Sequence, residues 1–146
     1  FPEKLIPLTI SKIIKGESIP IYGKGENIRD WIFVQDHCEA LFYILLNGKI
    51  GESYCVGGNS EINNLDLVKL ICKIVDKSNI ALPNDDLLSL IKFVNDRPGH
   101  DHRYAIDSSK IMNSLGWKPK LKLLDGLDLT IKWYLRNQRW LNNFLK

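Results

Sequence analysis

Cysteine is scarce in this sequence, and what there is does not cluster. Cys38, Cys55 and Cys72 are the only three in 146 residues. Their number is odd and no Cys-x-x-Cys occurs, which argues against both a disulfide framework and a zinc site. Reduced, buried thiols in a cytosolic protein are the expectation. Long apolar runs are also missing. None approaches the roughly 18 residues that a membrane-crossing helix needs. Phe1-Pro2-Glu3-Lys4 has neither the basic nor the apolar region of a secretory signal. Charge of one sign is not in excess. The 20 Lys and Arg against 17 Asp and Glu leave a formal net charge of +3. That is too little for a nucleic-acid binder, and it fits an anionic small ligand.

What is present is an ordinary globular composition, with 45% hydrophobic and 25% charged residues. The length suffices for one domain with a real core. The chain starts at Phe1 rather than Met and runs straight into a helical pattern. It therefore reads as the carboxyl-terminal part of something longer. No internal repeat, low-complexity segment or long linker divides it, so residues 1–146 read as one unit.

Periodicity and punctuation place the elements. A turn at Pro2–Leu5 precedes a helix from about Ile6 to Lys15, closed by Gly16. Ile19-Pro20-Ile21-Tyr22-Gly23 is a short strand whose proline marks an edge or a start. Trp31–Val34 is expected to be a second strand. Asp36 then caps a helix, with Glu39 in capping-box position. Ala40, Leu41, Ile44 and Leu45 form its buried face, and Asn47-Gly48 ends it. Glu52–Val56 reads as a strand. Asn63-Asn64 precedes an amphipathic helix over Leu65–Val75, and an Asn there is cheaply read as an N-cap. Ser78–Leu90 is a loop with one helical turn. Ile91–Val94 is a strand. Asp107 or Ser108 caps a helix that Gly116 ends, and a last helix runs from about Leu124 to Leu145. Its Leu127, Ile131, Tyr134 and Leu135 share a face, while Trp133, Trp140 and Phe144 add core or interface area. The layout is α+β, with few elements for a parallel sheet.

One stretch stands apart. Asp96-Arg97-Pro98-Gly99-His100-Asp101-His102-Arg103 is a charged loop between a strand and a helix. Pro98 fixes its own φ and Gly99 permits φ > 0, so Pro-Gly marks a tight bend. Arginine forks suit phosphate oxygens. The loop is either a solvated connection or an anion grip. Arg29 poses the same choice: it pairs with Asp30 or Glu26, or it points at an anion. Lys4 either reaches a ligand or is solvated. Gly23-Lys24-Gly25 resembles part of a phosphate loop, but no helix start follows it, so the dinucleotide fingerprint fails.

Motifs in consistent order give the chain a family resemblance. They are Phe1-Pro2-Glu3-Lys4-Leu5-Ile6-Pro7, Pro20-Ile21-Tyr22-Gly23-Lys24-Gly25, Ile28-Arg29-Asp30-Trp31 and Val34-x-Asp36-His37. Val56-Gly57-Gly58 and Asn64-Leu65-Asp66 follow. Asp96-Arg97-Pro98-Gly99-His100-Asp101-x-Arg103-Tyr104-Ala105-Ile106-Asp107 and Leu115-Gly116-Trp117-Lys118-Pro119 complete the set. On these the chain resembles the carboxyl-terminal part of the dTDP-glucose 4,6-dehydratase family. These are extended short-chain dehydrogenases/reductases with an NAD-binding Rossmann fold. Asp-Arg-Pro-Gly-His-Asp discriminates; the other segments are shared with many nucleotide-sugar enzymes.

The resemblance implies an NAD-dependent lyase that turns dTDP-glucose into dTDP-4-keto-6-deoxyglucose, in deoxysugar synthesis such as that of dTDP-rhamnose. It implies a cytoplasmic, homodimeric parent with no nucleic-acid or membrane partner. The family's glycine-rich NAD loop, its Tyr-x-x-x-Lys pair and its Asp-Glu dehydration pair lie upstream of the matching region. No tyrosine here has a lysine four residues later. The resemblance therefore implies a substrate-binding part with no catalytic or NAD-binding residues, inactive alone. It implies that Lys4 and Leu5 lie along the nucleotide sugar, with Pro20, Ile21 and Tyr22 flanking base and ribose. Arg29 and Asp96, Arg97, Pro98, Gly99 and His100 close over the diphosphate, and Asn64 also touches the ligand. It implies an apolar patch where the NAD domain packs. His102 stands where the family often has arginine, and it receives no role.

Three alternatives stay open. The parent is another NAD-dependent nucleotide-sugar epimerase or decarboxylase, or the chain is a non-catalytic nucleotide-sugar-binding remnant. Alternatively, His100-x-His102 with Asp101 holds a metal, a reading that lacks a third strong ligand.

Overall fold

The computed structural model describes residues 3–78 and 80–144, with side chains described to Leu141. The expected turn at Pro2–Leu5 and the helix end at Leu145 lie partly outside the described residues, as does the Phe144 side chain. The fold mixes helix and strand. Among the described residues the helices are α1 (Leu5–Lys15), α2 (Val34–Asn47), α3 (Asn64–Asp76), α4 (Ser109–Leu115), α5 (Leu123–Arg136) and α6 (Gln138–Phe144). The described strands, all short, are β1 (Ile19–Tyr22), β2 (Ile28–Asp30), β3 (Glu61–Asn63), β4 (Ile91–Val94) and β5 (Arg103–Tyr104), with a 3-10 turn at Leu87–Leu90. No described helix is long and apolar enough to cross a membrane.

The residues gather into two compact units. The first takes Phe1–Asn27, Asn63–His102 and Asp128–Lys146; the second takes Ile28–Ile62 and Arg103–Leu127.

The first unit is built on β1, β4, α1 and α3. β1 and β4 pair in parallel, with Ile19 opposite Ile91 and Tyr22 opposite Val94. The few strands available thus do make parallel pairs. Pro20 is tolerated because, among the described residues, β1 pairs with β4 alone. Ile10 and Ile13 of α1, Ile19 and Ile21 of β1, and Leu67, Val68, Ile71 and Val75 of α3 are fully buried. α1 ends as expected on Gly16, in the left-handed region at φ 65°. α3 is capped by Asn63, whose Oδ1 accepts the Asp66 N–H at 2.8 Å. Asn64 is therefore the first helical residue, not the cap. Gly25, at φ 73°, is wedged against Ile21 and Leu65, where a Cβ would fall within 2.8 Å of the Leu65 side chain. α5 does not run on to Leu145. It stops at Arg136, and Asn137 separates it from α6. Asn137 doubles back, its side-chain amide donating to the Trp133 carbonyl at 2.8 Å. Ile131 and Leu135 are buried, while Trp133 and Trp140 stay exposed and stack edge to face.

The second unit departs further from expectation. The strand falls on Ile28–Asp30 rather than Trp31–Val34, and α2 already starts at Val34. β2 lies between β3 and β5, and its pairing with β5 is parallel. Asp30 fixes the Gly57-Gly58 bend, its carboxylate oxygens accepting the N–H groups of Gly58 at 2.8 Å and Ser60 at 2.7 Å. Asp36 does not cap α2. It sits inside the first turn, buried, and Oδ2 accepts the backbone N–H groups of Lys120 (3.1 Å) and Leu121 (3.0 Å). Glu39 pairs instead with the Lys120 ammonium. The core is Ala40, Ile111 and Trp117, with Ile32, Ile44, Tyr54, Val56 and Leu115 packed around it. Leu41 and Leu45 were expected there but face outward, Leu45 at 78% exposure beside Phe42 at 62%. Residues 52–56, expected as a strand, form none in the described structure. Cys38 and Cys55 are exposed rather than buried; only Cys72 is interior.

Candidate functional site

Parallel strands end on the same side. Tyr22 and Val94 are the last residues of β1 and β4 and are register partners. The Gly23 N–H donates to the Val94 carbonyl at 2.9 Å, extending the pairing by one step. The loop after β4 therefore emerges beside the turn after β1, at the strand ends where open α/β sheets hold ligands.

That loop is shaped by its own sequence. Asp96 Oδ1 accepts the Arg97 backbone N–H at 2.8 Å. The His100 N–H donates to the Arg97 carbonyl at 3.2 Å, closing a turn around Pro98 and Gly99. Gly99 has φ 66°, and a Cβ there would meet nothing within 4 Å. Glycine is thus favoured by the backbone conformation, not by crowding. The Asn27 side-chain amide donates to the Asp101 carbonyl at 3.1 Å and ties down the loop's far end.

Four side chains meet here. The Arg97 guanidinium lies over the Tyr22 ring, 5.2 Å from its centroid. The His100 ring stands edge-on to Tyr22 at 6.2 Å and 84°. His100 Nδ1 is 2.6 Å from Asp96 Oδ1, and its side chain is only 5% exposed. The hydrogen bond from His100, and then the Arg97 backbone N–H, hold the Asp96 carboxyl below its usual range. Tyr22 itself is 42% exposed. The result is an accessible aromatic face with a cation over it and a nearly buried imidazole at its edge. A flat base or ring and an anionic group are the chemistry such a surface accepts.

The other expected residues lie around or away from this group. β1 alternates, so Pro20 and Tyr22 point out while Ile21 points into the core. Ile21 can offer a ligand only its backbone. Lys4 is exposed at the start of α1, 3.5 Å from Glu3, and Leu5 is half-buried. Asn64 is half-buried and gives its N–H to the Asn27 carbonyl at 3.0 Å. Since Asn63 does the capping, the Asn64 side chain has no capping role. Arg29 belongs to the second unit. Its guanidinium lies over Tyr104, 4.6 Å from the centroid, and donates to the Ile28 carbonyl at 2.6 Å. Among the described residues, no three of His, Cys, Asp and Glu converge as a metal set. Asn27 was missed by sequence reasoning. Its signal was a polar residue in an otherwise tightly packed turn; it is 7% exposed.

A family model described as GDP-mannose 4,6 dehydratase matches residues 1–130. The chain belongs to this family. Within the dehydratases, a dTDP-glucose 4,6-dehydratase of Xanthomonas campestris pv. campestris (strain B100) is 50% identical over 145 residues. That match takes in 99% of the chain and 41% of the relative, so the chain spans about two fifths of that relative's length. Two solved structures are similar. The dTDP-glucose 4,6-dehydratase of Bacillus anthracis str. Ames, in complex with NAD, has a TM-score of 0.84 at 40% identity over 96% of this chain and 42% of that one. DesIV of Streptomyces venezuelae, a dTDP-glucose 4,6-dehydratase with NAD and TYD bound, has a TM-score of 0.86 at 37% identity over 95% of this chain and 40% of that one.

Proposed function

We propose that residues 1–146 form the carboxyl-terminal, nucleotide-sugar-binding part of a cytoplasmic, homodimeric dTDP-glucose 4,6-dehydratase. The observation that carries this is the Asp96–His100 turn standing beside the exposed face of Tyr22, in a chain of this family. Tyr22 and Pro20 take the base and ribose. Arg97 supplies a fork for the diphosphate, and Asn64 supplies an amide. The guanidinium neutralises charge and the aromatic face accepts a flat ring. Gly23-Lys24-Gly25 is followed by β2 rather than by a helix, so it is not a dinucleotide-binding turn. The redox chemistry belongs to the rest of the parent enzyme, and this part alone neither retains NAD nor converts dTDP-glucose.

The test is Arg97→Ala in the full-length enzyme. A charged hydrogen-bonding contact is worth about 1.5–3 kcal/mol, so dTDP affinity should fall roughly tenfold to a hundredfold. Arg97→Lys should recover only part. The loss should appear in KM, because the diphosphate is remote from the reacting carbons. The contact of Arg97 with Asp96 runs through its backbone N–H, which alanine keeps. A lowered melting temperature with unchanged dTDP affinity would overturn the assignment.

A further inference from the structure

Asp96 is out of place in a diphosphate site. An ionised carboxylate only accepts hydrogen bonds and repels phosphate oxygens. The structure shows what occupies it. One oxygen, Oδ1, takes both the Arg97 N–H at 2.8 Å and the His100 Nδ1 at 2.6 Å. Its other oxygen lies against Gly23, where a Cβ would come within 3.1 Å. Gly23, at φ 55°, is thus the residue that lets the carboxylate approach the end of β1. The carboxylate thus packs between the loop and the end of β1.

We propose that Asp96 is a positioning residue rather than a ligand contact: it orients the His100 ring and sets the Arg97-Pro98-Gly99-His100 turn against Tyr22 and Gly23. The proposal rests on the nucleotide-sugar reading of the site and deepens it. Because the carboxylate can only accept, the proton between the two groups sits on Nδ1. Nε2 is then the ring nitrogen left for a ligand, and His100, not Asp96, is the polar atom that the loop offers beside the arginine. The orientation of the ring follows from this bond and from the edge-on contact with Tyr22.

The experiment uses the full-length enzyme and two readouts. In the ligand-free protein, imidazole 15N shifts should report neutral His100 as the Nδ1–H tautomer. Asp96→Ala should return it to the ordinary mixture of tautomers. In steady-state kinetics with dTDP-glucose, Asp96→Ala should raise KM about tenfold, as expected for losing a charged hydrogen-bonding partner, with kcat falling far less. Asp96→Asn keeps an accepting Oδ1 and should recover most of the loss. An unchanged tautomer in Asp96→Ala would overturn the proposal, as would a lower melting temperature with unchanged KM. So would an Asp96→Asn variant as impaired as alanine, which would make the carboxylate itself the ligand contact. A wild-type enzyme that fails to bind dTDP would sink the nucleotide-sugar reading, while the tautomer measurement would still decide the role of Asp96.

Discussion

α3 and α2 are amphipathic helices of 13 and 14 residues with very different fates. In the first unit, α3 buries Leu67, Val68, Ile71, Cys72 and Val75. In the second, α2 buries only Ala40 and Asp36 and turns Val34, Leu41, Phe42, Leu45 and Leu46 to solvent. An exposed apolar stripe of that kind marks an interaction surface. Residues 52–56 of the same unit form no strand, though Tyr54 and Val56 pack against the small core. The first unit buries one face of α3 completely, though Phe93, Trp133 and Trp140 stay exposed; the second leaves most of the apolar face of α2 uncovered. On the proposed reading, that surface is where the rest of the parent enzyme packs. A helix's spacing shows that it has an apolar face, but not what lies on that face.

The largest expected contrast is in stability. Ile71→Ala removes a fully buried side chain and should cost about 2–5 kcal/mol in chemical denaturation. Leu45→Ala should change stability by roughly 0.5 kcal/mol or less, as for an ordinary surface site. Equal losses at the two positions would break the comparison.

Association should follow the same line. The 146-residue chain should self-associate in sedimentation or size-exclusion runs. The double variant Leu41→Lys with Leu45→Lys should shift it towards monomer. A wild-type chain that is monodisperse and binds no apolar dye would count against an uncovered α2.

Thiol chemistry gives a smaller, sharper contrast. Burial pushes the Cys72 thiol up to about 11, so roughly one in a thousand is thiolate at pH 8. Cys38 and Cys55 are exposed. Mass spectrometry of the native chain after alkylation should show modification at Cys38 and Cys55 and protection at Cys72. Rapid labelling of Cys72 without unfolding would show that the first unit opens readily.

The smallest effect is acid sensitivity at the surface of the second unit. Hydrogen bonds from Lys110 and Arg103 hold the carboxyls of Glu52 and Glu61 below the usual 4.5. A carboxyl lowered in the folded state contributes stability that is complete above its unfolded value and is lost as pH falls through the folded one. The melting temperature should therefore drop as pH falls below about 4.5, by less in Glu61→Gln than in the parent. Both pairs are exposed, so the differences are small. An acid transition unaltered by Glu61→Gln would remove that pair from the account.

Local signals in the sequence specified much of this protein. Gly16 and Gly116 end helices in the left-handed region. Asn63 caps α3, and Pro98-Gly99 makes the turn, because each depends on the residue itself and its immediate neighbours. The candidate site was legible in part: the Asp96–His100 loop stood out by residue type, while Tyr22 was named only through the family resemblance. Tertiary structure decided what depends on distant partners. It paired β1 with β4 in parallel, which brings Tyr22 to Arg97 and His100. It sent Ile21 inward and gave Asp36 to the backbone of Lys120 and Leu121, instead of to its own helix end. It also left Leu41 and Leu45 uncovered and 52–56 without a ladder. Strand pairing and burial are contacts between segments far apart in the chain. Their outcome rests on which surfaces meet, and no local spacing records that.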